Sequence, residues 1–150
     1  MLDNKKKGNI IMKTNYLCPK CKGVLNVGEY VIFSTRNKNH DVGLLLLHPE
    51  LGNYKVVKHP DYNYEEGENL EFFCPICHKS LSTGGEKKLV KILMVDKNKT
   101  FNVLFSQIAG EKSTYKIIGD NVEAFGKHKL KYLDFLNSLD NYPYKNTKTL

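Results

Sequence analysis

Arginine is nearly absent from this chain: Arg36 stands alone against 22 lysines. That shortage counts against sequence-specific nucleic-acid readout, because a guanidinium is the better group for bidentate phosphate and base-edge contacts. Asparagine is plentiful at 15 residues, and the Lys/Asn bias fits an AT-rich coding sequence. Long apolar runs are missing too. No pure one is longer than Leu44–Leu47, far short of the ~20 residues a membrane span needs. The opening MLDNKKKGNIIMKTN is basic but carries no apolar core of the kind secretory signals have, and Met12 offers a second start. The expected setting is therefore the reducing cytoplasm, with no membrane association. Catalytic signatures are also lacking. There is no His-Glu-x-x-His, no nucleophile elbow and no carboxylate pair placed for acid–base work. In AGEKST (109–114), Phe105 stands where a phosphate loop needs its first glycine, and Glu111 intervenes before Lys112. That segment is not a phosphate loop.

What remains suits one domain. A chain of 150 residues buries roughly 68–70% of its unfolded surface, and 41% hydrophobic residues with 16 Tyr plus Phe supply a core. The formal charge of +7 is unevenly spread. Residues 1–23 hold six Lys against one Asp, residues 141–150 hold two Lys and no acid, and the stretch between has 15 of each sign. The excess thus belongs to the ends, which reads as solvated tails. The expected organisation is a flexible basic tail over 1–13, one β-rich domain over 14–140, and a flexible tail over 141–150.

Within the domain, EYVIFSTR (29–36), GLLLL (43–47), YKVVK (54–58) and NLEFF (69–73) read as strands separated by polar turns. LVKILMV (89–95) and FNVLFSQ (101–107) flank DKNKT and predict a hairpin, to which STYKII (113–118) adds a further strand. HKLKYLDFLNSL (128–139) is the one good helix: Tyr132, Phe135, Leu136 and Leu139 share a face, opposite Lys131, Asp134, Asn137 and Ser138. The fold expected is mostly β and antiparallel, with one C-terminal helix packed on the sheet.

The strongest signal is a repeated motif. Tyr16-Leu17 lead into CPKCKGVL (18–25), and Phe72-Phe73 into CPICHKSL (74–81); these hold the chain's four cysteines. In each, leucine stands four residues after the second cysteine. A C-x-x-C turn lets two thiolates grip one ion while backbone amides point at the first sulfur. Proline after the first cysteine presets φ for that turn. Two such turns supply four soft ligands, the usual environment of a structural zinc ion. Other readings of C-P-I-C-H fit less well. Haem attachment would favour an exported protein and leave Cys18 and Cys21 idle. A redox dithiol should open a helix, and neither HKSLSTGGE nor KGVLNVG can run as one. Disulfides would need an oxidising compartment. The pattern resembles zinc ribbons, and the doubled C-P-x-C is similar to the bacterial CpXC domains. It departs from a simple ribbon in placing 52 residues between the pairs, where about 15–20 is usual. The resemblance implies zinc-ribbon-like knuckles, metal binding by Cys18, Cys21, Cys74 and Cys77, and no reaction.

Weaker features have ordinary explanations. His78 abuts a ligand pair, but four thiolates leave it exposed or beside a sulfur. His48-Pro-Glu50 and His59-Pro-Asp61 recur eleven residues apart, a pattern that turn chemistry accounts for without a second metal. DYNYEEGENLE (61–71) is either a solvated loop, a dock for a basic partner, or a shield for the lysine-rich first knuckle. The overall expectation is one structural Zn²⁺ per chain in a non-enzymatic scaffold or adaptor with a protein partner. Transcription or translation machinery are candidate settings. The alternative is nucleic-acid binding through Lys5, Lys6, Lys7, Lys13, Lys20 and Lys22, and third comes a zinc or thiol-redox enzyme.

Overall fold

A computed structural model describes residues 14–84 and 87–137, with the side chains of Asp134 and Asn137 left aside. Lys5, Lys6, Lys7, Lys13, Leu139 and the 141–150 tail lie outside the described residues. The strands are β1 (Asn15–Leu17), β2 (Asn26–Val27), β3 (Tyr30–Arg36), β4 (Val42–Leu47), β5 (Val56–Val57), β6 (Glu71–Phe73), β7 (Leu89–Asp96), β8 (Lys99–Ser106), β9 (Thr114–Ile118) and β10 (Asn121–Phe125), followed by helix α1 (Leu130–Asn137). They form two antiparallel sheets. The first runs β1-β7-β8-β9-β10; the second runs β2-β3-β4-β5, with β6 also pairing β3. The mostly β architecture with one terminal helix is as expected.

Alternation along the strands sets the layers. Val90, Ile92, Met94 and Val103 of the first sheet face Val31, Phe33, Leu45 and Phe72 of the second in one core. Leu104, Tyr115 and Ile117 point the other way and meet Tyr132 and Leu136 of α1 in a second core. Side chains alternate faces along a strand, so β8 serves both cores with neighbouring residues. Each fully buried leucine here contributes roughly 1.5–3 kcal/mol. Of the predicted helix face, Tyr132 and Leu136 are buried and Phe135 packs at the margin.

The predicted hairpin closes more tightly than DKNKT suggested. Asp96 pairs with Lys99, leaving a two-residue turn in which Lys97 and Asn98 have φ of 52° and 68°. Positive φ at both central positions is the turn whose twist matches that of the flanking strands. The YKVVK segment is strand only at Val56–Val57, while β1, β2 and β10 were not anticipated.

The acidic loop does not shield the first knuckle. It wraps the β3–β4 turn: Glu65 pairs with Lys38 Nζ at 2.9 Å, and Glu68 accepts the Lys38 amide at 2.7 Å. Tyr62 lies over Gly43, where an added Cβ would sit 2.4 Å from the ring. Its hydroxyl reaches Thr35 Oγ1 at 2.7 Å. Arg36 forms an ion pair with Glu71, its cross-strand partner, at 2.6 Å.

Candidate metal centre

Strand β7 brings the two cysteine pairs together. Leu17, just before Cys18, pairs with Leu93. Along the same edge of β7, the one opposite β8, the segment returning from Cys77 follows lower down: Lys91 donates to the Leu81 carbonyl, and Thr83 to that of Leu89, both at 2.9 Å. One strand thus templates both knuckles and closes the 52-residue gap that separates them in sequence.

The knuckles share one hydrogen-bond pattern, to which the first adds a bond from the Gly23 amide to Cys21 Sγ at 3.3 Å. Cys18 Sγ accepts from the amides of Lys20 at 3.3 Å and Cys21 at 3.4 Å; Cys74 Sγ accepts from Ile76 at 3.3 Å and Cys77 at 3.4 Å. The amides of Lys22 and His78 donate to the carbonyls of Cys18 and Cys74, each at 2.9 Å. Both residues have left-handed backbone, with φ of 65° and 69°. His78 is therefore the structural counterpart of Lys22, a turn residue and not a fifth ligand. Leu25 and Leu81 are both buried, and their amides donate back to Tyr16 and Phe72, which lead into the knuckles. The repeated leucine noted in the sequence is the anchor of each turn. Gly23 lies against the opposite knuckle: an added Cβ would stand 2.6 Å from Ile76 Cδ1.

The four sulfurs converge. Cys18 Sγ is 3.9 Å from Cys77 Sγ, and Cys21 Sγ is 3.8 Å from Cys74 Sγ. All four lie within 4.8 Å of one another. A disulfide would require about 2.05 Å. Ligands of one tetrahedral ion with metal–sulfur bonds of ~2.3 Å would stand about 3.8 Å apart, and these two contacts between the knuckles match that spacing. Cys18 and Cys74 are fully buried, Cys77 partly so, and Cys21 is exposed. The set could hold a metal ion.

Its electrostatics suit that role. Burial opposes ionisation of Cys18, but the amides of Cys21 and Lys20, with the neighbouring thiols, outweigh it and bring the thiol down to about 7. At Cys74 burial is the largest influence, and with Cys18 and Cys77 beside it the thiol is pushed up to about 11. The two environments are nearly equivalent. The opposite shifts therefore describe one shared charge: a first sulfur ionises and its neighbours keep their protons. Lys91 is half-buried nearby, and desolvation followed by repulsion from Lys22 and Lys20 makes its ammonium easier to deprotonate. A dication with four thiolates carries net negative charge, which these three lysines would offset.

The other histidines are turn caps. His48 Nδ1 accepts from the Glu50 amide and His59 Nδ1 from that of Asp61, each at 3.0 Å. Among the described residues the only cluster suited to a metal is the four cysteines. No helix among these residues is long and apolar enough to cross a membrane. No family model matches this chain, and no curated protein or solved structure matches it either.

Proposed function

We propose that the four cysteines hold one structural zinc ion and that the chain is a non-enzymatic interaction module, akin to zinc ribbons and CpXC domains. The observation that carries this is the convergence of four sulfurs from two similar knuckles, all within 4.8 Å of one another and 3.8 and 3.9 Å apart in two pairs across the knuckles. Zinc fits an all-thiolate tetrahedral set better than the hard cations that prefer oxygen. When bound, it would cross-link the two knuckles. Four protein ligands would leave no open position for substrate or water, which favours a structural role over a catalytic one. A protein partner is supported by the outer face of the second sheet, where Val42, Leu44 and Val57 are exposed. Transcription or translation assemblies are settings in which such a module would serve.

Nucleic-acid binding is the second reading, favoured by the grouping of Lys20 and Lys22 with Lys91 beside the first knuckle. Such contact would be electrostatic, steeply salt-dependent and nearly blind to sequence. Affinity purification from native cells with mass spectrometry, run beside a gel-shift titration of the purified chain, separates the readings. The interaction module predicts one reproducible protein partner, lost on changing Val42 and Leu44 to Ser, and only salt-sensitive gel shifts. Tight, competitor-resistant binding to one nucleic-acid site would replace it with the second reading.

A further inference from the structure

A cleft of about 500 Å³ opens between the two sheets, and none of the four cysteines lines it. Its size lies within the roughly 300–1,000 Å³ of small-molecule sites. The deepest side chains beneath it, such as Phe33 and Val103, are sealed in the core. The surface that a ligand can touch belongs instead to half-buried Leu47, Leu51, Tyr64, Phe105 and Ile108. Leu47 ends β4 and Phe105 lies near the end of β8, so both sheets contribute to this apolar wall. Polar groups beside the wall are already engaged. Tyr54 Oη meets Thr114 Oγ1 at 2.8 Å, and the Glu111 carboxylate accepts from Ser106, Tyr132 and Lys131, each at 2.6 Å.

The mouth has a different character. An open depression adjoins the cleft and shares Glu50, Lys55 and Lys112 with it, and Lys127 lies in the same depression. All three lysines are exposed, and among the described residues none of their ammoniums is ion-paired. Three cations thus stand there against the one carboxylate of Glu50. Glu66 is the other exposed carboxylate of the cleft, and it lies over Gly110, where an added Cβ would be 2.8 Å from its Cγ. A positive mouth in front of an apolar cleft attracts a molecule with an anionic head and an apolar tail.

We infer that the cleft binds a free single-chain carboxylate, with its alkyl tail against Leu47, Leu51, Phe105 and Ile108 and its head among Lys55, Lys112 and Lys127. The inference stands apart from the metal and the partner proposed above. Burial of the tail supplies most of the affinity. The exposed lysines add little each, but together they set which end of the molecule stays outside.

Decanoate, octanoate and decyltrimethylammonium test it, each kept below its micelle threshold. Calorimetric titration of the full chain at low salt, with methyl NMR shifts to locate the ligand, should show saturable one-to-one binding of decanoate at Leu47, Leu51 and Ile108. Octanoate should bind about fifteenfold more weakly, because each buried methylene is worth about fourfold. Decyltrimethylammonium has the same tail and the opposite charge. It should bind about tenfold more weakly than decanoate, and added salt should narrow that gap. Changing Lys55→Gln together with Lys112→Gln should weaken decanoate about fivefold and leave the cation no weaker. Absence of saturable decanoate binding, equal affinity of anion and cation for the unaltered chain, or shifts mapping away from the cleft would each overturn the proposal. The comparison of anion and cation on the unaltered chain keeps the test decisive even if the double variant fails to fold.

Discussion

Replacing Glu111 should loosen the helix from the sheet. The residue follows β8, and its side chain is only 12% exposed. Oε1 accepts from Ser106 Oγ and from Tyr132 Oη, and Oε2 from Lys131 Nζ, all at 2.6 Å. One carboxylate thus ties the end of β8 to two residues of α1. In Glu111→Ala, Lys131 returns to water at little cost, because its side chain is 55% exposed. The hydroxyls of Ser106 and Tyr132 sit in buried residues and lose a charged acceptor. At ~1–3 kcal/mol for each hydroxyl stranded, with partial rescue by solvent, the loss comes to about 2–4 kcal/mol. That corresponds to roughly 5–15 °C in Tm for a chain of this size. Glu111→Gln keeps the shape and one acceptor and should cost about half as much. There is a pH signature as well. Burial works against the charge, yet the hydrogen bonds from Lys131, Ser106 and Tyr132 together hold the carboxyl below its ordinary range. A depressed carboxylate stabilises the fold fully above its unfolded value of ~4.3, and that stabilisation is lost as pH falls through the depressed folded value. Urea unfolding of parent and Gln variant at pH 7 and near pH 3 should therefore show a stability gap that narrows in acid. An Ala variant within ~0.5 kcal/mol of the parent at neutral pH would refute the clamp.

Gly43→Ala should destabilise by about 1–3 kcal/mol in urea unfolding, since its Cβ would enter the Tyr62 ring at 2.4 Å; a neutral result would mean that the ring moves freely aside. Lys97→Gly should stabilise by roughly 0.5–1 kcal/mol, because the backbone there has φ of 52° and glycine takes that conformation without strain; a loss of stability would argue against the two-residue turn. Acid should strip a thiolate-bound ion, because protons and metal compete for the same sulfurs. With Cys18 ionising near 7 and Cys74 near 11 in the metal-free cluster, apparent affinity should fall by about tenfold per pH unit for each proton displaced. A chelator competition that gives one affinity at pH 6 and pH 8 would exclude thiolate ligation.

The cysteine site was legible because its signal is local. Each knuckle is a turn specified within eight residues, from the leading cysteine to the anchoring leucine, and the second copy confirms the first. What brings the copies together was not legible: β7 reads as one strand of a hairpin and says nothing about which distant segments will flank it. Strand β10 escaped because NVEAF is only five residues with Asn and Glu among them, and as a sheet edge it needs only one partner, β9. Glu111 read as a residue that spoils a phosphate loop, whereas its role depends on α1 folding back over β8. Gln107 looked like the polar end of a strand, and only the packing of two sheets reveals it as buried. His48 and His59 were correctly read as turn residues, although the imidazole, and not the carboxylate after Pro, makes the capping bond.

The central claim is tested most directly by metal content and free-thiol count on the same purified sample. The account predicts one zinc per chain with all four cysteines reduced but protected from thiol reagents, and loss of the metal when Cys18 or Cys74 is changed to Ser. The expected binding strength is within the roughly 10–16 kcal/mol of structural zinc sites at neutral pH. Metal-free protein whose four thiols react at once, and which takes up no zinc when it is added back, would contradict it.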